Sequence, residues 1–419
     1  MNQPTLSLIP MYEAIAIGRS VTLDVLVKIL PPAIDHPVDR PPLNLGFVLD
    51  RSGSMSGAKI DFARQAVAYA VEQLLPSDRL SLTLFDTHVK TAIPSTLATD
   101  KHKLLDTIRG IRTGSSTALH SGWVNGGLQV SQYLNPEHLN RVILLSDGLA
   151  NVGETNPDAI ANDVHGLMNR EVTTTTLGVG ADYDEDLLEA MAHSGDGNFF
   201  HIDSPDQLPE IFATELQGLA GTMGHSVELS LIPLQGTVIA DVLNDVAKTE
   251  AGALKLPNLT VGSPINVVFR LRIPALTQSS HLLQVKLVWQ APQQTETQSL
   301  EATLSLQGVK PEQMSDFPAN AEVTEQVALL MAARARQEAV QFADRGDWAG
   351  AVSTLQASSK NLAAMPASAS ISEELTAVQD LTSDFETGEK SIARKRARYQ
   401  AYNLNRSRSS DYGKRRPKS

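Results

Sequence analysis

Four oxygen-bearing side chains stand at alternate positions in "VLDRSGSMSG", residues 48–57, and the first three, Asp50, Ser52 and Ser54, surround Gly53. The i, i+2, i+4 spacing around Gly53 lets a tight loop turn one carboxylate and two hydroxyls toward a common point, because glycine accepts the backbone angles such a loop demands. A carboxylate with two hydroxyls is a hard-oxygen set without sulfur or imidazole, which suits Mg²⁺ and argues against zinc or copper. Such an ion wants about six ligands and the loop offers only three, so the remainder must come from elsewhere. Two further polar loops qualify: "TGSSTALHSG", where Thr117 precedes a helical pattern, and "LLSDGLANVG", where Asp147 closes an apolar run.

The elements around these loops explain how they could meet. From Leu43 to Gly221, apolar runs ("LNLGFVLD", "RLSLTLFD", "NRVILLSD", "EVTTTTLGVG", "GNFFHI") alternate with helical patterns. In the first of those patterns Ile60, Ala63, Val67, Val71 and Leu74 recur at three- and four-residue spacing, one face of a helix. Uninterrupted apolar strands between helices imply a parallel sheet covered on both faces, because crossover helices bury each strand twice. In such a doubly wound sheet, ligands bind beyond the carboxyl ends of the strands, at the point where strand order reverses. Asp50 ends the first of these strands.

Strand texture brackets this segment. "SVTLDVLVKIL" alternates through Val21, Leu23, Val25 and Val27, and after Gly221 come "SVELSLIPL", "INVVFRLRI", "LLQVKLVWQ" and "SLEATLSLQ". Neither set makes a full sheet alone, so residues 1–41 and 222–317 are expected to complete one β-sandwich around an α/β domain spanning 42–221. Apolar stripes at Val323, Val327, Leu330 and Met331, at Trp348, Val352, Leu355 and Leu362, and at Leu375, Val378, Leu381 and Phe385 predict a bundle of three helices over 318–401. Residues 402–419, nearly devoid of apolar side chains, are expected to form a disordered basic tail.

The order Asp50-x-Ser52-x-Ser54, then a threonine loop, then an aspartate ending the next apolar strand resembles the metal ion-dependent adhesion site of von Willebrand factor type A domains. The texture of "LGFVLDRSGSMSGAKI", "DRLSLTLFD", "GSSTALHSG" and "VILLSDG" is similar to that family in the same order. The resemblance implies a Rossmann-like α/β fold in a stand-alone protein of bacterial type. It also implies that Asp50, Ser52, Ser54 and Thr117 bind Mg²⁺, with Ca²⁺ or Mn²⁺ as alternatives, directly or through water, while Asp147 acts directly or one shell out. Such a site leaves a position for an Asp or Glu of a partner protein. Thr113, Ser115 and Ser116 also lie in the threonine loop; Thr117 is preferred because "ALHSG" reads as a helix start.

Other chemistries find less support. A haloacid dehalogenase-like phosphatase would place a second acid where Ser52 stands. His88, His102 and His120 carry no nucleophile-elbow motif beside them. The expectation is therefore a non-enzymatic, metal-dependent protein-binding module, with two alternatives kept: an adaptor for a separate AAA+ ATPase, since the chain has no phosphate-binding G-x-x-x-x-G-K-[ST] loop, and an unrecognised hydrolase. The 419 residues include no cysteine, which excludes disulfides and thiolate sites and favours a cytoplasmic setting. No apolar stretch is long enough for a membrane span. Residues 390–419 carry eleven Lys and Arg against Asp411 alone, so the net charge of −12 divides into a tail of +10 and a body of −22. An acidic body argues against nucleic acid as the main partner.

Overall fold

The structure is a computed structural model and describes residues 3–32, 41–276, 278–291, 296–387 and 390–410. The chain begins with three strands, β1 (Thr5–Pro10), β2 (Ala14–Ala16) and β3 (Val21–Leu30). It then enters a compact unit that ends at Gly221, and the chain on either side of that unit makes a second one.

In the unit that starts after residue 40, β4 (Leu43–Asp50) is buried at every position, as its unbroken apolar run requires of a strand covered on both faces. There follow α1 (Ala58–Gln73), β5 (Arg79–Phe85), β6 (Val89–Leu97), α2 (Lys101–Arg109) and α3 (Leu119–Ser131). The second half comprises β7 (Leu139–Ser146), α4 (Pro157–Met168), β8 (Val172–Val179), α5 (Glu185–Ser194), β9 (Phe199–Ile202) and α6 (Leu208–Ala220). The six strands lie in the order β6-β5-β4-β7-β8-β9. This is a Rossmann-like α/β fold, and the direction of winding reverses between β4 and β7. The carboxyl ends of those two strands are where Asp50 sits and where Asp147 follows.

One strand departs from the expected parallel sheet. β6 pairs antiparallel with β5 at the sheet edge, and only Ile93 of its nine residues is buried. An edge strand exposed on one side needs no continuous apolar run, and it tolerates Pro94, which cannot donate to a ladder. Its sequence therefore carries little strand signal.

After the α/β unit come β10 (Thr222–Pro233), β11 (Val238–Val242), β12 (Leu254–Leu256), β13 (Leu259–Thr260), β14 (Ile265–Ile273), β15 (Ser280–Gln290) and β16 (Thr297–Val309). Two sheets form, β1-β3-β14-β11 and β12-β10-β15-β16-β2, and both draw strands from the two ends of the chain. Val25, Val27 and Ile29 of β3 share one core with Leu229, Val267, Val285 and Leu287. The opposite face of β3 is not solvated as its alternation suggests: Leu26 is buried with Leu243, Val268, Val323 and Leu330 under the first C-terminal helix.

That helix is α7 (Ala321–Asp344); α8 (Trp348–Ala363), α9 (Ala369–Thr387) and α10 (Lys390–Asn405) follow. Gly346 takes φ of +78° in the turn between α7 and α8, and the Asp347 side chain caps α8 through the Gly350 amide at 2.8 Å. Two expectations fail here. Met331 is 47% exposed and lies off the packed stripe. Among the described residues the bundle has four helices, and the packing extends past residue 402: Tyr402, Asn403, Leu404 and Asn405 are buried, as is Ser410. α10 is basic yet packs, because its charges meet acids on neighbouring helices. Arg394 forks onto Asp344 at 2.6 and 3.2 Å, and Arg396 pairs with Asp384, while Ala393, Ala397 and Tyr399 fill the core. The last nine residues of the predicted tail, 411–419, lie outside the described residues. Among the described residues no helix is long and apolar enough to cross a membrane.

Candidate metal centre

Asp50 is the last residue of β4 and fully buried. Its Oδ1 accepts the Ser52 amide at 2.7 Å, which folds the loop back on the strand end. Its Oδ2 accepts the Ser146 hydroxyl at 2.5 Å, tying it to the end of the adjacent β7. The Ser52 and Ser54 hydroxyls lie 3.0 Å apart, so the alternate spacing does turn them to one side. Ser54 Oγ in turn donates to Asp147 Oδ1 at 2.7 Å. The first and third loops therefore meet directly.

The threonine loop closes on the first through its backbone. The Gly53 amide donates to Ser115 O at 2.8 Å and the Gly114 amide to Arg51 O at 2.6 Å. A Cβ at Gly114 would fall 1.9 Å from Asp86 Oδ2, so only glycine permits this approach, and Asp86 itself pairs with Arg51 at 2.8 Å. Thr117 is buried, and its amide donates to Asn151 Oδ1 at 2.9 Å. Gly148 locates its hydroxyl: a Cβ built there would stand 3.4 Å from Thr117 Oγ1 and 3.5 Å from Ser54 Oγ. Asp50, Ser52, Ser54 and Asp147 are thus joined in one hydrogen-bonded chain, with Thr117 facing the same gap. Ser115 and Ser116 serve the loop through backbone groups, as the Ser116 amide does to Thr87 Oγ1 at 3.2 Å.

Four participants carried no sequence signal of their own. Ser146 and Asn151 are ordinary polar residues beside the aspartate, and Asp86 forms an ion pair with Arg51 that only the fold creates. The fourth is Lys59, in the first turn of α1, whose ammonium pairs with Asp147 Oδ2. Of the histidines weighed for catalysis, His120 pairs with Asp163 at 2.9 Å and His102 with Asp106 at 3.2 Å, while His88 is tied by its amide to Asp86 Oδ1 at 2.7 Å.

The electrostatics of the site are those of a carboxylate wanting a cation. Burial pushes the Asp50 carboxyl up to about 6 from its ordinary 3.8; hydrogen bonds from Ser146 and Ser52 oppose the shift, and the charge of Asp147 adds to it. A divalent ion would reverse that balance by stabilising the ionised form. The donor set is wholly oxygen, three hydroxyls and two carboxylates, and Gly148 leaves open the space between two of the hydroxyls. These residues fit a hard cation.

Residues 44–214 match the family model described as the von Willebrand factor type A domain. The chain carries a von Willebrand factor type A domain. Domains of this family often mediate protein–protein interactions. The uncharacterised protein sll0103 of Synechocystis is 25% identical over 351 residues, covering 80% of this chain and 81% of that protein. Human inter-alpha-trypsin inhibitor heavy chain H4 is 32% identical over 178 residues, which are 40% of this chain but 19% of that protein. YfbK of Escherichia coli is 26% identical over 193 residues, which are 46% of this chain and 34% of that protein, so the chain spans about a third of the one relative and about a fifth of the other. Among solved structures, the ArnB paralog VWA2 from Sulfolobus acidocaldarius has a TM-score of 0.63 at 19% identity, covering 94% of this chain and 98% of its own. A von Willebrand factor type A protein from Catenulispora acidiphila has a TM-score of 0.66 at 16% identity, covering 95% and 90%. The likeness to both is one of fold, and it reaches beyond the von Willebrand factor type A domain to the flanking strands and helices.

Proposed function

We propose that the chain is a divalent-cation-dependent protein-binding module whose docking point is the edge of the sheet at Asp50. Asp50, Ser52, Ser54 and Thr117 would hold Mg²⁺ directly or through water, and Asp147 would hold it directly or through Ser54. The bound ion would act as a Lewis acid for one exchangeable ligand, a carboxylate from an Asp or Glu of a partner. The observation that carries this reading is the meeting of three loops: Ser54 Oγ lies 2.7 Å from Asp147 Oδ1, and both Ser54 and Thr117 hydroxyls border the space that Gly148 leaves open. A divalent cation facing a single direct carboxylate keeps net positive charge, which an incoming carboxylate completes. The absence of cysteine supports a reducing compartment.

Mn²⁺ binding followed by electron paramagnetic resonance tests the metal. One strong site per chain is expected in the wild type and none in Asp50→Ala, with the variant's fold checked by circular dichroism. A pull-down with Mg²⁺ or EDTA then tests the partner. A variant that binds Mn²⁺ as the wild type does would overturn the reading.

A further inference from the structure

Lys59 is an unusual neighbour for a cation site. It is the second residue of α1, and a positive charge in the first turn of a helix stands at the unfavourable end of the dipole. Its position therefore owes nothing to the helix and must be stabilised by something else. That something is Asp147, a fully buried carboxylate whose Oδ2 it pairs with, while Ser54 takes Oδ1. Gly180, the residue after β8, lies near the same side chain: a Cβ built there would stand 3.8 Å from both Cε and Nζ. The Lys59 side chain is three quarters shielded from solvent.

Given the metal-dependent reading of this site, we infer that Lys59 sets its charge balance, weakening the hold on the metal in order to strengthen the hold on the partner's carboxylate. Asp50, Asp147 and Lys59 together carry one net negative charge. A divalent ion brings the total to one positive, which is what attracts an acidic side chain. Without Lys59 the two aspartates would neutralise the ion outright, and an incoming carboxylate would meet no net attraction. The same ammonium opposes the ion itself, both by repulsion and by occupying an Asp147 oxygen that the ion could use. One residue therefore pushes two successive binding steps in opposite directions, and this sign pattern separates it from a lysine that merely supports the loop. A structural support, when removed, weakens both steps.

The test uses the full chain as wild type, Lys59→Met and Lys59→Arg at one pH. Mn²⁺ affinity is read by electron paramagnetic resonance, and acetate binding to the Mn²⁺-loaded protein by paramagnetic broadening of its carbon-13 carboxyl signal. Lys59→Met is expected to bind Mn²⁺ more tightly by a factor on the order of ten and acetate more weakly by a similar factor, with ion-pair screening setting the scale. Lys59→Arg keeps the charge and is expected to track the wild type in both. Two changes of the same sign, or no change in either, overturn the role of Lys59 while leaving the metal site standing. Wild type and Asp50→Ala binding Mn²⁺ equally would instead remove the metal reading and this inference with it.

Discussion

Asp50→Asn removes a charge that burial makes costly whenever no cation balances it. A carboxyl moved from 3.8 to about 6 holds its proton more tightly in the folded than in the unfolded chain, a difference of about 3 kcal/mol. The sign follows from the proton counts. Between those two values the folded state keeps a proton that the unfolded state has lost, so stability falls as pH rises. The contribution is fully present below 3.8 and is lost as pH passes through about 6. Between about pH 4.5 and about pH 8, the linkage relation gives a decline of about 2 kcal/mol from this group alone. The asparagine variant has nothing to titrate there. Urea denaturation of both proteins in EDTA at the two pH values isolates the effect, because all other groups cancel in the difference. The variant is expected to gain about 2 kcal/mol on the wild type between the lower and the higher pH. Saturating Mg²⁺ at the higher pH is expected to raise the wild type and leave the variant unchanged. Parallel pH profiles in EDTA would refute the reasoning that burial governs this carboxylate.

Two other substitutions probe separate parts of the molecule. Gly148→Ala places a methyl group 3.4 Å from Thr117 Oγ1 and 3.5 Å from Ser54 Oγ, an ordinary contact that fills the gap without unfolding the domain; Mn²⁺ affinity is expected to fall about tenfold or more while the melting temperature holds, since a cation bound at fixed distances cannot yield to it. Arg336, fully buried, ties α7 to α9 through Glu374 and to α10 through Gln400 at 3.0 Å. Arg336→Met alone strands a buried carboxylate and is expected to cost about 3–5 kcal/mol, and the double variant Arg336→Met with Glu374→Leu much less, both measured by thermal denaturation.

What could be read from the residues alone was what is local or strongly periodic. The spacing of Asp50, Ser52 and Ser54 is a property of one loop, and the unbroken apolar runs of β4 and β7 announce strands covered on both faces. The alternation of strand and helix announces a doubly wound sheet, but the strand order that puts the reversal between β4 and β7 is visible only in the fold. Lys59, Ser146 and Asn151 were not legible, because a lysine in a first turn or a serine at a strand end has many ordinary uses and acquires this one only when distant segments meet. β6 lacked signal because an edge strand does not need alternation. α10 was misread for a related reason: its apolar contribution comes from alanines and tyrosines, and its charge is balanced by Asp344 and Asp384 on other helices. Composition describes a segment in water, whereas its neighbours decide whether it packs.

The sheets that draw on both ends of the chain set a timetable for biosynthesis. In the finished protein Val21 of β3 lies opposite Ile273, and Ala14 of β2 opposite Gln307. The von Willebrand factor type A domain is contiguous and can close as soon as residue 221 has left the ribosome. β3 must wait for some 240 further residues, roughly ten to fifty seconds at ordinary elongation rates. Throughout that interval β3, with Val25, Leu26, Val27 and Ile29 all destined for burial, has β1 to pair with along one edge and nothing along the other, a template for another nascent chain. The aggregation hazard in making this protein therefore lies in the strands before residue 31 rather than in the α/β unit.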